Sequence, residues 1–290
     1  MIKVLFDCDN TMSVSGCDVD DGLALIYLLG RSDVELLGVT TTYGNSTIDI
    51  VHENTIKMFN DLKISHIPLY KGSACKSNRK SDAAEFLVNM VNKYPGEITL
   101  LATGSLTNLC GAYEIDNSFF SKLKQIVLMG GITRPLIING KNLNELNFSC
   151  DPEASLRVLS SDAKVTTLDG HICLQAFFGE KEYERLTSNN SNIYKYINDN
   201  TVEWFNLVMK EFGVKGFYNW DIVSALYITN PELFEDNFEN IVSTEKDLEK
   251  GYLKIDNDND SGYKVNIPLK IKDVDLFNEI IFKTWDNVKI

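Results

Sequence analysis

Short hydrophobic runs alternate along much of the chain with longer segments in which apolar residues recur with the period of a helix. Runs of the first kind are typical of buried strands, and the periodic segments indicate amphipathic helices. The pattern predicts strands at Ile2–Phe6, Val34–Thr42, Ile67–Tyr70, Ile98–Ala102, Gln125–Met129 and Lys164–Leu168. Helices are predicted at Asp20–Leu29, Ile48–Leu62, Asp82–Tyr94, Leu106–Tyr113 and Pro152–Leu159, with one or two more within Glu180–Phe212 and another at Trp220–Ile228.

This alternation predicts an α/β fold with a mainly parallel, Rossmann-like sheet flanked by helices. No internal repeat and no linker rich in Pro, Gly and Ser interrupts it, so we expect a single domain over residues 1–290. Ligands of open α/β sheets bind beyond the carboxyl ends of the strands. We therefore expect the active site at that edge.

The segment 251–271 alternates polar and apolar residues around a turn rich in Asp, Asn and Gly, which predicts a β-hairpin. A calcium-binding EF-hand loop that began at Asp256 would need Gly and Glu where Ser261 and Ile267 stand. The turn is therefore predicted to be solvated and not to bind metal.

The formal charge of −13 argues against nucleic acid or an anionic membrane as a partner, because both would repel the protein. The opening sequence MIKVLF is too short for a signal peptide, and no apolar run approaches the length of a membrane span. We therefore expect a cytoplasmic protein.

Polar side chains follow several of the predicted strands. Asp9 follows the first strand, Asn45 the second and Thr103 the strand that ends at Ala102. Because the carboxyl ends of parallel strands lie at one edge of the sheet, these side chains are candidates for a common site.

Asp18, Asp20 and Asp21 stand at the start of the first predicted helix. They could simply cap this helix, where acidic side chains suit the helix dipole. Alternatively they join Asp9 in a pocket, and several carboxylates in one pocket require a cation. Oxygen ligands without His or Cys indicate a hard ion, Ca²⁺ or Mg²⁺.

The opening DCDNT also resembles the first motif of haloacid-dehalogenase-type phosphatases. Under that reading Asp7 is a nucleophile and Asp9 an acid/base. The late acidic G-D-x-x-x-D motif of those enzymes is missing from the sequence, which makes this the weaker alternative.

A larger ordered set of motifs resembles the inosine-uridine-preferring nucleoside hydrolase family (nucleoside N-ribohydrolases). The set comprises FDCD with DDGLAL, LLGVTTTYGN, TLLATGSLTNL, IVLMGG, NELNFSCDPEAS and NWDIVSALY, and it covers most of the chain. The resemblance implies a calcium-dependent hydrolase of purine or pyrimidine nucleoside salvage, assembled as a homodimer or homotetramer. Such an enzyme cleaves the N-glycosidic bond of ribonucleosides to free base and ribose.

The resemblance also implies roles for individual residues. Asp9 would bind Ca²⁺ and act as general base on a metal-bound water. The other implied residues are Asp21, Asp221 and the Thr103 carbonyl as calcium ligands, Asp20 and Asn45 as contacts of the ribose hydroxyls, and Asn139, Glu145 and Asn147 as contacts of the ribose 5′ and 3′ groups.

Three features depart from the family pattern. The segment NTMSVSGCDV, which contains Asp18, replaces a shorter turn, and could form a lid or a surface bulge. The sequence after LYKGSA lacks the family's longer closing loop. Trp220 stands where many members have a His before the late aspartate, as in the purine-specific branch, and we expect it to assist the leaving base; otherwise it is a core aromatic. A non-catalytic nucleoside or ribose binder therefore stays open as an alternative.

Overall fold

A mainly parallel β-sheet forms the centre of the computed structural model, which describes residues 1–256 and 261–290. The strands are β1 (Ile2–Cys8), β2 (Val34–Thr41), β3 (Leu69–Lys71), β4 (Ile98–Ala102), β5 (Gln125–Met129), β6 (Leu136–Ile138), β7 (Lys141–Leu143), β8 (Val165–Leu168), β9 (Phe177–Gly179), β10 (Gly216–Tyr218), β11 (Phe234–Glu235), β12 (Phe238–Ile241), β13 (Tyr263–Asn266) and β14 (Lys270–Ile271). The helices are α1 (Asp20–Gly30), α2 (Ile48–Asp61), α3 (Asp82–Lys93), α4 (Thr107–Ile115), α5 (Asn147–Cys150), α6 (Pro152–Leu159), α7 (Gly170–Cys173), α8 (Glu180–Ser188), α9 (Asn192–Phe212), α10 (Trp220–Thr229), α11 (Glu245–Leu248) and α12 (Val274–Trp285). Short 3₁₀ turns occur at Phe120–Lys122 and Pro231–Leu233.

The main sheet has the strand order β12-β13-β8-β5-β4-β1-β2-β3. Its pairs are parallel except at the edge, where β12 runs antiparallel to β13. Helices cover both faces, with α1, α10 and α12 on one and α3, α4 and α6 on the other. Strands of such a sheet are buried on both sides, which explains their continuous hydrophobic runs. The predicted α/β fold is confirmed.

Helix α1 is buried on almost all sides because it packs between the sheet, α10 and α12. The Tyr27 hydroxyl is 2.6 Å from the Thr229 hydroxyl of α10, so a hydrogen bond joins the two helices. The first turn of α1 carries Asp20 and Asp21, and the first turn of α10 carries Asp221. The packing of α1 on α10 thus brings together carboxylates from distant parts of the chain.

The segment that replaces the family's short turn folds back into the protein in its first half. Asn10 and Met12 are buried, and Asn54 of α2 donates hydrogen bonds to both of their carbonyl oxygens. Met12 packs on Gly22 of α1, where an added Cβ would lie 2.4 Å from the Met12 sulfur. The segment is therefore anchored and is not a detached surface bulge.

The hairpin prediction for 251–271 is wrong in its pairing. Strand β13 forms as expected, but it pairs with β12 and with β8. On the other arm, Tyr252 and Ile255 form only isolated bridges. Val265 and Asn266 are buried at the sheet edge, so tertiary pairing outweighs the local turn signal. The middle of the predicted turn, residues 257–260, lies outside the described residues.

No helix in the described ranges is both long and apolar enough to cross a membrane.

A buried ion pair fixes the segment that precedes α6. The Arg79 guanidinium donates two hydrogen bonds to the Asp151 carboxylate, at 2.9 and 3.2 Å. Asp151 is fully buried, caps α6 through the Ala154 N–H and accepts a hydrogen bond from Thr107 of α4. Removing one partner from a buried pair leaves an uncompensated charge, which is strongly destabilising.

We expect Arg79→Met to lower the free energy of unfolding by about 3 kcal/mol, measured by urea denaturation. Lys181→Met is the matched control, since its ion pair with Asp275 is almost fully exposed and should contribute about 1 kcal/mol or less. Equal losses in the two variants would contradict this account.

Candidate active site

Four buried aspartates converge beyond the carboxyl end of β1. Asp9 follows β1, Asp20 and Asp21 open α1, and Asp221 lies in the first turn of α10. Carboxylate oxygens of Asp20, Asp21 and Asp221 all lie within 4.8 Å of one another. We call these four residues the acidic cluster.

Several oxygens of the acidic cluster have no donor facing them. The Thr103 hydroxyl donates to Asp21 Oδ1 at 2.6 Å, and the Asn45 N–H donates to Asp9 Oδ2 at 2.5 Å. Asp9 Oδ1, Asp21 Oδ2 and Asp221 Oδ1 are buried without a hydrogen-bond partner among the described residues. Buried anionic oxygens without donors are costly unless a cation binds them.

Burial and mutual repulsion raise the pKa values of the acidic cluster. Burial raises the pKa of Asp9 to about 6, and burial together with the charge of Asp9 raises the pKa of Asp20 to about 7. Burial, then the neighbouring carboxylates, holds the pKa values of Asp21 and Asp221 well above the usual range. Without a cation the cluster therefore retains protons near neutral pH.

The donor set fits a hard divalent cation, because carboxylate and carbonyl oxygens are the ligands that Ca²⁺ and Mg²⁺ prefer. The Thr103 carbonyl accepts a hydrogen bond from Asn147 at 2.9 Å, and a carbonyl has a second lone pair available to an ion. The backbone also approaches Asp9 closely, since a Cβ on Gly44 would lie 2.1 Å from Asp9 Oδ2. The acidic cluster could therefore hold a metal ion.

Asp20 and Asp221 of the cluster line one end of a cavity of about 290 Å³. Asp9 and Asp21 are buried and do not line it, but each accepts a hydrogen bond from a residue that does, Asn45 and Thr103 respectively. Asp18, Asn45 and Asn147 line the cavity near the cluster, and Gly16 and Cys17 add the second half of the inserted segment. Glu145 also lines it, but its carboxylate accepts hydrogen bonds from three backbone N–H groups, those of Gly131, Phe148 and Ser149.

The other end of the cavity is apolar and largely aromatic. Trp220 is only 8% exposed and lies 5.4 Å from Tyr218 between ring centroids. Three side chains of α9 at helical spacing face the same space, as do three of the β6–β7 hairpin. We call these six residues the apolar wall. They are Trp204, Val208 and Phe212 of α9 and Leu136, Ile138 and Leu143 of the hairpin.

Three predicted site residues do not line the cavity: Asp9, Asp21 and Asn139. Asp9 and Asp21 are buried members of the acidic cluster, whereas Asn139 lies on the surface. It lies at the tip of the β6–β7 hairpin, is exposed, and donates a hydrogen bond to the Phe212 carbonyl at 2.8 Å. Asn144, five residues later in the chain, lines the cavity instead.

Sequence reasoning missed the apolar wall. Trp204, Val208 and Phe212 recur every four residues, so they form one stripe on α9. Such a stripe is visible in the sequence, but the same spacing is typical of helices that pack on a core. None of the three histidines, all of which the structure describes, lines the cavity.

Asp7 also lies outside the cavity. It is fully buried, and its Oδ1 accepts hydrogen bonds from Thr40 at 2.5 Å and from Asn108 at 2.8 Å. Neither Thr40 nor Asn108 lines the cavity, whereas Asp9 accepts a hydrogen bond from Asn45, which does. The geometry therefore does not support the phosphatase alternative.

The family model for "Inosine-uridine preferring nucleoside hydrolase" matches residues 4–279. The chain belongs to this family. It is 31% identical over 247 residues to Uridine nucleosidase 1 of Arabidopsis thaliana, covering 74% of this chain and 72% of the relative. Another relative is the pyrimidine-specific ribonucleoside hydrolase RihA of Shewanella oneidensis, 25% identical over 80% of this chain and 79% of its own. A solved structure of a purine-preferring ribonucleoside hydrolase from Gardnerella vaginalis superposes with a TM-score of 0.85 at 24% identity, covering 99% of both chains.

Membership of the nucleoside hydrolase family makes the protein a hydrolase that acts on N-glycosyl bonds of ribonucleosides. Asp20 and Asp221 of the acidic cluster line the same cavity as the apolar wall, as a sugar and its base would require. The resemblance predicted from the motifs is confirmed.

The raised pKa values predict how stability depends on pH. A carboxyl group whose pKa is higher in the folded than in the unfolded state stabilises the fold below the unfolded value of about 3.9, and this contribution is lost as pH rises through 6 to 7. With a chelator present, we expect a lower melting temperature at pH 8 than at pH 5.5.

Millimolar Ca²⁺ or Mg²⁺ should raise the melting temperature more at pH 8 than at pH 5.5, because ion binding displaces protons from the carboxyls. Differential scanning calorimetry measures both effects. A cation effect of equal size at the two pH values would show that the ion binds elsewhere.

Proposed function

We propose that the protein hydrolyses ribonucleosides with the help of a calcium ion held by Asp9, Asp21, Asp221 and the Thr103 carbonyl. The observation that carries this proposal is that carboxylates of the acidic cluster, those of Asp20 and Asp221, and the apolar wall line one cavity. Calcium, when bound, would orient the ribose hydroxyls and lower the pKa of the attacking water. The cavity volume of about 290 Å³ lies near the lower end of small-molecule pockets.

Asp9 has the properties of a general base. The Asn45 N–H fixes its Oδ2, while its buried Oδ1 has no donor among the described residues and is free to accept a proton. The two carboxylates beside it, Asp20 and Asp21, would stabilise the positive charge that develops on the sugar as the N-glycosidic bond breaks.

We assign Asp20, Asn45, Glu145 and Asn147 to the ribose end of the cavity. Asp20, a member of the cluster, and Asn147 are both buried and both line the cavity. Both Glu145 oxygens are engaged by backbone N–H groups, so Glu145 would act mainly by shaping this wall. Asn147 donates to the Thr103 and Met129 carbonyls, which leaves its amide oxygen to accept from a sugar hydroxyl.

The apolar wall would bind the base, and Trp220, which lines the same end of the cavity, would stack on the face of the base. A Trp at position 220, directly before Asp221, resembles the purine-specific branch of the family, whereas the name of the Arabidopsis relative refers to uridine. Uridine and inosine are therefore the first two substrates to compare.

A cytoplasmic location, a role in nucleoside salvage, and assembly as a homodimer or homotetramer stay predictions. Light scattering coupled to size exclusion measures the mass in solution and tests the assembly.

Release of reducing sugar from a panel of ribonucleosides with Ca²⁺ tests the proposed function. A non-catalytic binder would bind ribose or inosine in titration calorimetry and release none. Loss of activity with a chelator, and recovery with Ca²⁺, would support the cation requirement.

Asp9→Asn should reduce turnover by about a thousand-fold or more, because it removes the base and one anionic ligand. Circular dichroism spectra of the parent protein and of the variant control for folding. Near-normal turnover in Asp9→Asn would exclude Asp9 as the base.

Trp220→Ala should slow hydrolysis of inosine by about ten-fold, which corresponds to about 1.4 kcal/mol of lost transition-state stabilisation. Hydrolysis of nitrophenyl riboside should survive, since its leaving group needs no protonation. Equal losses on both substrates would show that Trp220 supports the fold or Asp221 and does not act on the base.

A further inference from the structure

The tip of the β6–β7 hairpin contacts the C-terminal end of helix α9. Asn139 donates a hydrogen bond to the Phe212 carbonyl at 2.8 Å, and the Lys141 ammonium donates one to the Glu211 carbonyl. The same ammonium lies 5.9 Å from the centroid of the Phe212 ring. The last carbonyls of a helix lack partners within the helix, and both a donor and a positive charge stabilise them.

The backbone on both sides is shaped for this contact. Asn139 and Gly140 have φ values of 46° and 77°, so they form a tight turn that points the Asn139 side chain at α9. Gly213, at φ 69°, ends the helix in the left-handed conformation, and a Cβ there would lie 3.1 Å from Asn139 Nδ2.

The two elements joined in this way form facing parts of the apolar wall. Leu136 and Ile138 of the hairpin line the cavity, and so do Val208 and Phe212 of α9. Phe212 is the residue whose carbonyl Asn139 holds. A shift of the last turn of α9 would therefore move an aromatic side chain on the base side of the cavity and leave the acidic cluster in place.

We propose that Asn139 and Lys141 are positioning residues for base binding. Their hydrogen bonds hold the end of α9 against the hairpin and so fix the position of the apolar wall. This rests on the proposed function in taking that wall as the base subsite. It differs from the role that the family resemblance implies, in which Asn139 contacts the ribose directly.

The test compares Asn139→Asp and Lys141→Met with Asn142→Ala. Aspartate tolerates the left-handed conformation but cannot donate to a carbonyl, and its charge opposes the helix dipole. Lys141→Met keeps an apolar stem without the ammonium, and Lys141→Arg should restore the contact. Asn142 is the matched control because it pairs with the exposed Ile137 on the outer face of the hairpin.

We expect Asn139→Asp and Lys141→Met to speed amide hydrogen exchange in residues 209–213 and to raise the KM for inosine and uridine by about five-fold, the effect of one lost hydrogen bond. The inhibition constant of free ribose should stay unchanged, and Asn142→Ala and Lys141→Arg should resemble the parent protein.

Unchanged exchange in residues 209–213 would show that Asn139 and Lys141 do not hold the end of α9. Faster exchange with an unchanged nucleoside KM would show that holding it does not position the base, and either result would overturn the proposal. A ribose inhibition constant that rises with the KM would assign Asn139 to the sugar instead. If the parent protein hydrolyses no nucleoside, the proposed function fails. Hydrogen exchange in α9 then still tests whether Asn139 and Lys141 hold the end of this helix.

Discussion

Mutual repulsion among four buried carboxylates is the constraint on which the rest of the structure depends. Asp9, Asp20, Asp21 and Asp221 would separate if their backbones were free to move, since burial strengthens the repulsion between like charges. Each is instead fixed by a rigid element: the end of a central strand or the first turn of a buried helix. The hydrophobic packing of β1, α1 and α10 opposes the repulsion, and the result is a concentrated negative field that suits a cation and a developing positive charge.

The two ends of the cavity are built from different kinds of structure. The acidic end comes from the sheet and the helices packed on it, while the apolar end comes from α9 and a two-stranded hairpin outside the main sheet. Recognition of the base can therefore change with these outer elements while the chemistry at the sugar stays the same. The inserted segment belongs to the acidic end, because Met12 is buried against α1 and Asp18 faces the cavity near the cluster.

The sequence was a reliable guide wherever local pattern decides the outcome. The period of apolar residues located β4, β5 and α6 to the residue. The strand ends do approach one another, since the Asn45 N–H bonds Asp9, and a Cβ on Gly104 would lie 3.0 Å from Asp9 Oδ1. It was a poor guide to contacts between distant segments. The spacing of the family motif suggested a sugar contact for Asn139, whereas the turn that it forms directs its amide to Phe212, 73 residues away. Likewise, the apolar stripe on α9 can be assigned to the cavity only once the position of this helix in the folded protein is known.

The joint between α1 and α10 has a consequence for how the protein is made. Tyr27 and Thr229, which hydrogen-bond across this joint, are 202 residues apart. A ribosome must therefore release most of the chain before Asp221 can approach Asp20 and Asp21. Closing so long a loop is slow and comes late in folding. An ion that binds all three carboxylates acts after that step, so it would lengthen the lifetime of the finished protein and would do little to hasten its folding.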